Sequence, residues 1–190
     1  MPENNSPREK QNIPFCPSAK TDIGGIKGIM SQIKYTPIGI IHTPFSTPEG
    51  TPIQPQGAIG VDGTVDVFPD YIDGLADLHG FSHIYLIYHF HLSKPFSLRV
   101  KPFLDDKSRG LFATRAPSRP NPIGISVVEL IDIGKDKLHI RDIDVVDKTP
   151  LLDIKPYVPD FDVREATKTG WLEKKTQKIK KTIDDGRFSR

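Results

Sequence analysis

The chain has 190 residues, 36% of them hydrophobic and 26% charged, with 18 prolines, 15 glycines and a single cysteine. That length supports one ordinary domain, and the lone Cys16 excludes an internal disulfide or a cysteine-built zinc site, so the reducing cytoplasm is the expected compartment. The net charge of +2 is unevenly spread, because residues 168–190 hold eight Lys/Arg against three Asp/Glu, a net +5 that leaves −3 for the rest.

Residues 1–32 are polar and carry no sustained apolar period, so a flexible tail is expected there. Its cluster Gly24, Gly25, Gly28 has no strand before it and no helix pattern after it, which makes a phosphate-loop reading weak. The opening MPENNSPREK is unlike a secretory leader, and no apolar run reaches membrane-spanning length. A soluble protein with no membrane partner is expected.

Structure is expected to begin in YTPIGIIHTPF, with a short strand over residues 38–42 closed by Pro44. The next stretch, STPEGTPIQPQG, is too rich in proline for a regular element. Its Gln54 and Gln56 flank Pro55, and their amides offer paired donors and acceptors to a planar group. Asp62-Gly63 between alternating apolar positions predicts a hairpin turn. YIDGLADLHG reads as a turn or one short helix.

FSHIYLIYHFHL alternates as a strand does, with Ile84, Leu86, Tyr88, Phe90 and Leu92 on one face and His83, Tyr85, Ile87, His89 and His91 on the other. His89 and His91, two residues apart on that face, have the spacing of a metal-binding barrel strand, but no third histidine or carboxylate follows at useful spacing, so no metal is expected.

The stretch FATRAPSRPNPIGIS, residues 112–126, has no ordinary packing explanation. Pro117, Pro120 and Pro122 remove backbone donors, and the residues before them are pushed to extended geometry, so neither a helix nor a central strand forms. A stiff loop results, presenting Arg115, Arg119 and Asn121 with little entropy left to lose on binding an anionic or carboxylate-bearing ligand. It runs into a strand on which Ile123, Ile125, Val127 and Ile131 oppose Gly124 and Ser126, whose small side chains leave room for something to approach the backbone. KLHIRDIDVVD alternates again and ends in the turn DKTP, residues 147–150. GWLEKKTQKIKKTIDDGRF predicts a basic helix, with Leu172, Ile179 and Ile183 on its apolar side and Lys174, Lys175, Lys178 and Lys181 around the remainder.

Many short strands, proline-rich turns and one terminal helix argue for a mainly β protein, a barrel or sandwich with a polar, proline-framed pocket. Four separated segments carry the reading further: TPIQPQGAIG, GLADLHGFSHIYLIYHFH, FATRAPSRPNPIGIS and VVDKTPLLDIKPYVP. In sequence and in order they resemble the TsaA-like family, also called TrmO or YaeB, over about residues 35–162. The resemblance implies a single-sheeted β-barrel over 33–162 that dimerises and binds S-adenosyl-L-methionine, followed by the basic helix of 163–190. It also implies methylation of the exocyclic nitrogen of threonylcarbamoyladenosine beside the tRNA anticodon. Carried over by position, the implied cofactor contacts are Gln54, Pro55, Gln56, His91, Leu92, Arg115, Ile125, Asp147, Lys148, Thr149 and Pro150.

The family's usual glycine in the DGTP turn is Lys148 here, which puts the shape of that turn in question if it needs a positive φ. Longer bacterial relatives carry an additional C-terminal domain where this chain has its basic segment. Arg119 and Asn121 are the residues expected to hold the modified nucleoside, and Lys174, Lys175 and Lys178 the tRNA backbone. The acylated acceptor nitrogen is more acidic than an amine, so no catalytic base is assigned from sequence. A methyltransferase with another acceptor stays open as an alternative, as does a non-catalytic RNA-binding barrel. Against the latter, stacking aromatics are not interleaved with the basic residues.

Overall fold

The computed structural model describes residues 33–173 and 175–189. The expected tail over 1–32, its glycine cluster and Lys174 lie outside them. Tyr35–Arg190 forms one compact unit.

Six strands close into an antiparallel barrel: β1 (Gly39–His42), β2 (Asp62–Val67), β3 (His83–His89), β6 (Ile123–Ile133), β7 (Lys137–Arg141) and β8 (Thr149–Pro156). Around the barrel the order is β1-β2-β7-β6-β3-β8, and β8 pairs with β1 to close it. The short strands β4 (Arg99–Val100) and β5 (Arg109–Gly110) pair only with each other, in the long connection from β3 to β6. A closed single-sheeted barrel is the expected architecture, and closure leaves the six strands without unpaired edges.

Alternation decides what the barrel encloses. On β3 the inward residues Ile84, Leu86 and Tyr88 are buried, as the two-residue period of FSHIYLIYHFH predicts. They meet Ile41 of β1, Val65 and Val67 of β2, Leu138 and Ile140 of β7, Val128 of β6 and Leu151 of β8 in one core. Each fully buried side chain of this size contributes about 1.5–3 kcal/mol relative to exposure.

On β6 the small residues Gly124 and Ser126 face inward, and Ile123 and Ile125 face out. The register explains this inversion of size. Gly124 lies opposite Tyr88, and a Cβ on Gly124 would sit 2.1 Å from the Tyr88 Cε2 atom. The room beside the backbone, anticipated from the Gly/Ser face, is filled by the protein's own tyrosine ring.

Three elements differ from expectation. Asp62-Gly63 makes no hairpin; both residues lie within β2, paired with Arg141 and Ile140 of β7. The glycine is required for close approach, since a Cβ there would meet the His42 carbonyl oxygen at 2.8 Å and Ile143 Cγ2 at 2.9 Å. Second, the alternation of KLHIRDIDVVD ends as a strand at Arg141. Asp142 takes φ 69°, and its carboxylate accepts a hydrogen bond from the Gly60 amide at 2.7 Å.

Third, the expected basic helix is replaced by two short 3-10 segments, Gly170–Leu172 and Thr176–Lys181. A continuous helix would place Leu172, Ile179 and Ile183 along one side. Instead Ile183 is extended and bridges Pro52, while Gly50 and Thr51 exchange backbone hydrogen bonds with Asp184. Tertiary partners on the proline-rich loop, which a helix would forgo, determine the path of this segment.

Candidate active site

A cavity of about 940 Å³ lies among five chain segments: the loop 48–56, the end of β3 with residues 90–93, residues 102–104, the proline loop with the start of β6, and the turn from Asp144 to Thr149. The segment 171–189 supplies a sixth wall through Trp171, Leu172, Ile179 and Phe188. This volume suits a medium-sized organic ligand.

Of the cofactor contacts anticipated from sequence, Gln54, Gln56, His91, Leu92, Arg115, Ile125 and Thr149 line the cavity, although they span 96 positions. Gln54 stands before a 3-10 turn opened by Pro55, and Arg115 Nη1 donates to Gln54 Oε1 at 2.7 Å. The two proline-braced loops are thus joined by a charge-assisted hydrogen bond.

His91 is half-buried, and burial first, then neighbouring His89, lowers its pKa against a smaller opposing effect of Asp147. The ring is therefore neutral near pH 7. Thr149 donates its hydroxyl to the Val146 carbonyl at 2.6 Å, so in its 3.4 Å approach to His91 Nδ1 it can act only as acceptor. That arrangement leaves His91 Nε2 as a free acceptor.

Pro55, Asp147, Lys148 and Pro150 are not on the cavity wall. Asp147 braces the turn instead: its Oδ1 accepts from the Thr43 amide at 3.2 Å and lies 3.1 Å from His42 Nδ1. Burial pushes its carboxyl up, but the Thr43 amide and the His42 ring outweigh this and hold it below its ordinary value. Lys148 has φ 62°, the left-handed conformation for which glycine is suited.

Arg119 lines the cavity and donates to the Thr114 carbonyl at 3.0 Å, whereas Asn121 lies off the wall and gives its carbonyl to the Ile123 amide. Lys175 reaches across to Asp105, Nζ to Oδ1 2.9 Å, and Arg109 Nε donates to the other Asp105 oxygen at 2.7 Å. Lys178 and neighbouring residues form the second 3-10 segment, from which Lys180 faces the cavity.

The tertiary structure interleaves aromatic and basic side chains that are separate in sequence. Arg119 lies 5.8 Å from the Phe112 ring, Arg109 and Lys175 each 5.8 Å from Trp171, and Arg187 4.8 Å from Phe103. These contacts fall within cation–π range. Phe112 is 74% exposed, so its ring stands open at the rim.

One hydrogen-bonded group, with Tyr88 and Asp144 on the wall and Ser126 behind it, was given no functional role from sequence. Tyr88 Oη lies 3.0 Å from Ser126 Oγ, and Ser126 Oγ donates to Asp144 Oδ1 at 2.6 Å. Since Ser126 gives its proton to the carboxylate, Tyr88 must be the donor in the first bond. Burial, with Asp144 nearby, holds the Tyr88 phenol far above its ordinary value and so protonated. Burial likewise raises Asp144 to about 6, against the smaller opposing effects of Ser126 and Arg115. In sequence these residues lie on separate strands and a loop; the register of β3 with β6 sets Tyr88 beside Ser126, and the loop after β7 brings Asp144 to Ser126.

A closed antiparallel barrel with a deep, loop-walled ligand cleft is the class that this fold and cavity define. More specifically, residues 40–163 match the tRNA-methyltransferase O N-terminal domain, and the chain belongs to that family. A probable S-adenosyl-L-methionine-binding protein of Pyrococcus abyssi is 58% identical over 157 residues, covering 83% of this chain and 85% of its own length. The tRNA (adenine(37)-N6)-methyltransferase of Escherichia coli is 36% identical over 140 residues, covering 68% of this chain and 60% of its own. The crystal structure of TrmO from Pseudomonas aeruginosa is similar with a TM-score of 0.63 and 37% identity, covering 73% of this chain and 62% of that one. The chain therefore spans less than two thirds of the latter two proteins.

Proposed function

We propose that this protein is an S-adenosyl-L-methionine-dependent methyltransferase whose acceptor is the exocyclic nitrogen of threonylcarbamoyladenosine beside the tRNA anticodon, working in the cytoplasm as a homodimer. The observation that carries the reading is the convergence of Gln54, Gln56, His91, Arg115 and Thr149 on one cavity. The names of the relatives supply the reaction class. No metal is invoked; among the described residues no cluster of three or more His, Cys, Asp or Glu could hold one. None of their helices is long and apolar enough to cross a membrane.

The donor set suits the cofactor. Adenine presents hydrogen-bonding edges that glutamine amides and a neutral histidine can meet, and the amino-acid carboxylate calls for a cation such as Arg115. When bound, S-adenosyl-L-methionine supplies an electrophilic methyl group. The residues have to align the acceptor nitrogen with it and exclude water, which is where most of the acceleration of a direct displacement arises. The exposed Phe112 ring, with Arg119 beside it, suits a stacked nucleobase at the mouth. The +5 segment 168–190 suits the phosphate backbone.

Calorimetric titration with S-adenosyl-L-methionine is expected to give micromolar affinity, about −8 kcal/mol. Arg115→Ala and Gln56→Ala should each weaken it by about 1–3 kcal/mol. Labelled methyl should pass to tRNA carrying threonylcarbamoyladenosine and not to tRNA lacking it. Binding without transfer to either would leave another acceptor or a non-catalytic role; unchanged affinity in both variants would refute the assigned contacts. Sedimentation of the full chain tests the dimer.

A further inference from the structure

Asp144 lies on the cavity wall and makes no ion pair among the described residues. The Tyr88–Ser126–Asp144 chain runs one way: phenol to hydroxyl to carboxylate. Its anchor is rigid, since Tyr88 is clamped over Gly124 and packs edge-on against Phe90 at 5.3 Å. A wall carboxylate held at the end of a buried hydroxyl relay, with Arg115 acting on it but forming no ion pair, is a costly arrangement for a folded protein to keep for stability alone.

We propose that Asp144 is the catalytic proton acceptor, taking the hydrogen from the acceptor nitrogen as that nitrogen is methylated. This inference rests on the function proposed above. As the new N–C bond forms, the C–S bond breaks and its electron pair stays on sulfur. The nitrogen would be left cationic unless its N–H proton departs, and that proton passes to the Asp144 carboxylate. An N6-acylated adenine holds this hydrogen less tightly than an amine does, so a carboxylate of moderate basicity serves. Tyr88 and Ser126 are positioning residues: they fix which Asp144 oxygen is occupied and leave the other for the substrate. The remaining titratable or charged groups on the cavity wall are His91, Arg115, Arg119, Lys180 and Asp184. Of these Arg115 acts on Asp144 directly, stabilising its ionised form.

The experiment compares wild type, Asp144→Asn and Ser126→Ala. It measures S-adenosyl-L-methionine affinity by calorimetry and single-turnover methyl transfer to tRNA bearing threonylcarbamoyladenosine between pH 5 and 8. Asp144→Asn should bind the cofactor within about twofold of wild type yet transfer methyl at least about 100-fold more slowly. The wild-type rate should climb with pH up to about 6 and then level, because only the ionised carboxylate accepts the proton. That limb should vanish in Asp144→Asn and move in Ser126→Ala, a displacement that a merely structural role would not produce. An Asp144→Asn protein as active as wild type overturns the proposal. So does one whose cofactor affinity falls as far as its rate, since Asp144 would then be a binding residue. If wild type binds cofactor but methylates no such tRNA, the substrate assignment falls and this inference with it; an active wild type beside an equally active variant refutes the inference alone.

Discussion

At the residue scale, the single departure from the family's turn pattern is the most directly testable. Lys148 sits at φ 62° with its side chain exposed, so it carries the cost of a left-handed backbone without a buried contact in return. Such a position costs about 1–3 kcal/mol for a non-glycine residue. Lys148→Gly should therefore leave stability unchanged or raise it by up to about 1 kcal/mol, part of the gain being offset by glycine's freedom in the unfolded chain. Lys148→Val, β-branched, should destabilise by more than about 1 kcal/mol. Urea denaturation of the three proteins checks the order, and a stable Val variant would mean that the turn relaxes.

Asp144 belongs to the same scale and has an opposite balance. Its folded pKa, about 6, lies above the unfolded carboxylate value of roughly 3.9. The folded state therefore holds the extra proton between those values, and stability falls as pH rises through that window. Asp144→Asn keeps an acceptor for Ser126 without the buried charge. It should be more stable than wild type at pH 7, by about 1–3 kcal/mol, and lose that advantage below pH 4. Thermal melts across pH 4 to 8 measure this directly. Stability gained while turnover is lost is the pattern of a residue kept for chemistry.

At the scale of elements, β3 and β6 act as one unit because a ring on one fills the absent side chain of the other. Gly124→Ala would drive a methyl group into Tyr88, and overpacking of this kind costs about 1–3 kcal/mol. The damage should be smaller when Tyr88 is first changed to Leu, giving a clear coupling in a double-mutant cycle. Simple additivity would argue against the contact.

The C-terminal segment is an element of another kind, held by side chains and by its backbone bridge to residues 50–52, with no ladder of its own. Trp171 Nε1 donates to the Ala113 carbonyl at 2.7 Å, and Arg187 Nη1 donates to the Pro102 carbonyl at 2.9 Å. Lys175 and Arg109 clasp Asp105, whose side chain is 7% exposed. Those hydrogen bonds, from Lys175 first and Arg109 second, hold the Asp105 carboxyl well below its ordinary value. The stability it contributes is therefore present above the unfolded carboxylate pKa and lost as pH falls below about 4. In Asp105→Asn that acid-sensitive component should disappear, and proteolysis within 170–189 should become faster at neutral pH. An unchanged cleavage rate would mean that Asp105 does not hold the segment.

At the scale of the whole molecule, the barrel places loops far apart in sequence around one cavity, and the C-terminal segment completes its wall. Alternation in FSHIYLIYHFHL identified β3 and its buried face, and proline spacing identified the stiff loop that carries Arg115 and Arg119. Both signals are local: a two-residue period and a fixed φ act within a few residues. Family motifs led to seven residues that do share the cavity.

The rest was set by contacts across the chain. Asp-Gly at 62–63 looked like a turn until the crossing of β1 and the Ile143 loop required a glycine there. The lysine-rich end had helical spacing, but its partners on the 48–56 loop and the proline loop hold it in short turns and a bridge. Asp144 looked like one more polar residue in an alternating stretch. The sequence by itself determined the strands and the rigid loop, because their causes lie in neighbouring residues. Only the tertiary structure decided which side chains meet in the cavity, because register and barrel closure join positions that no local pattern links.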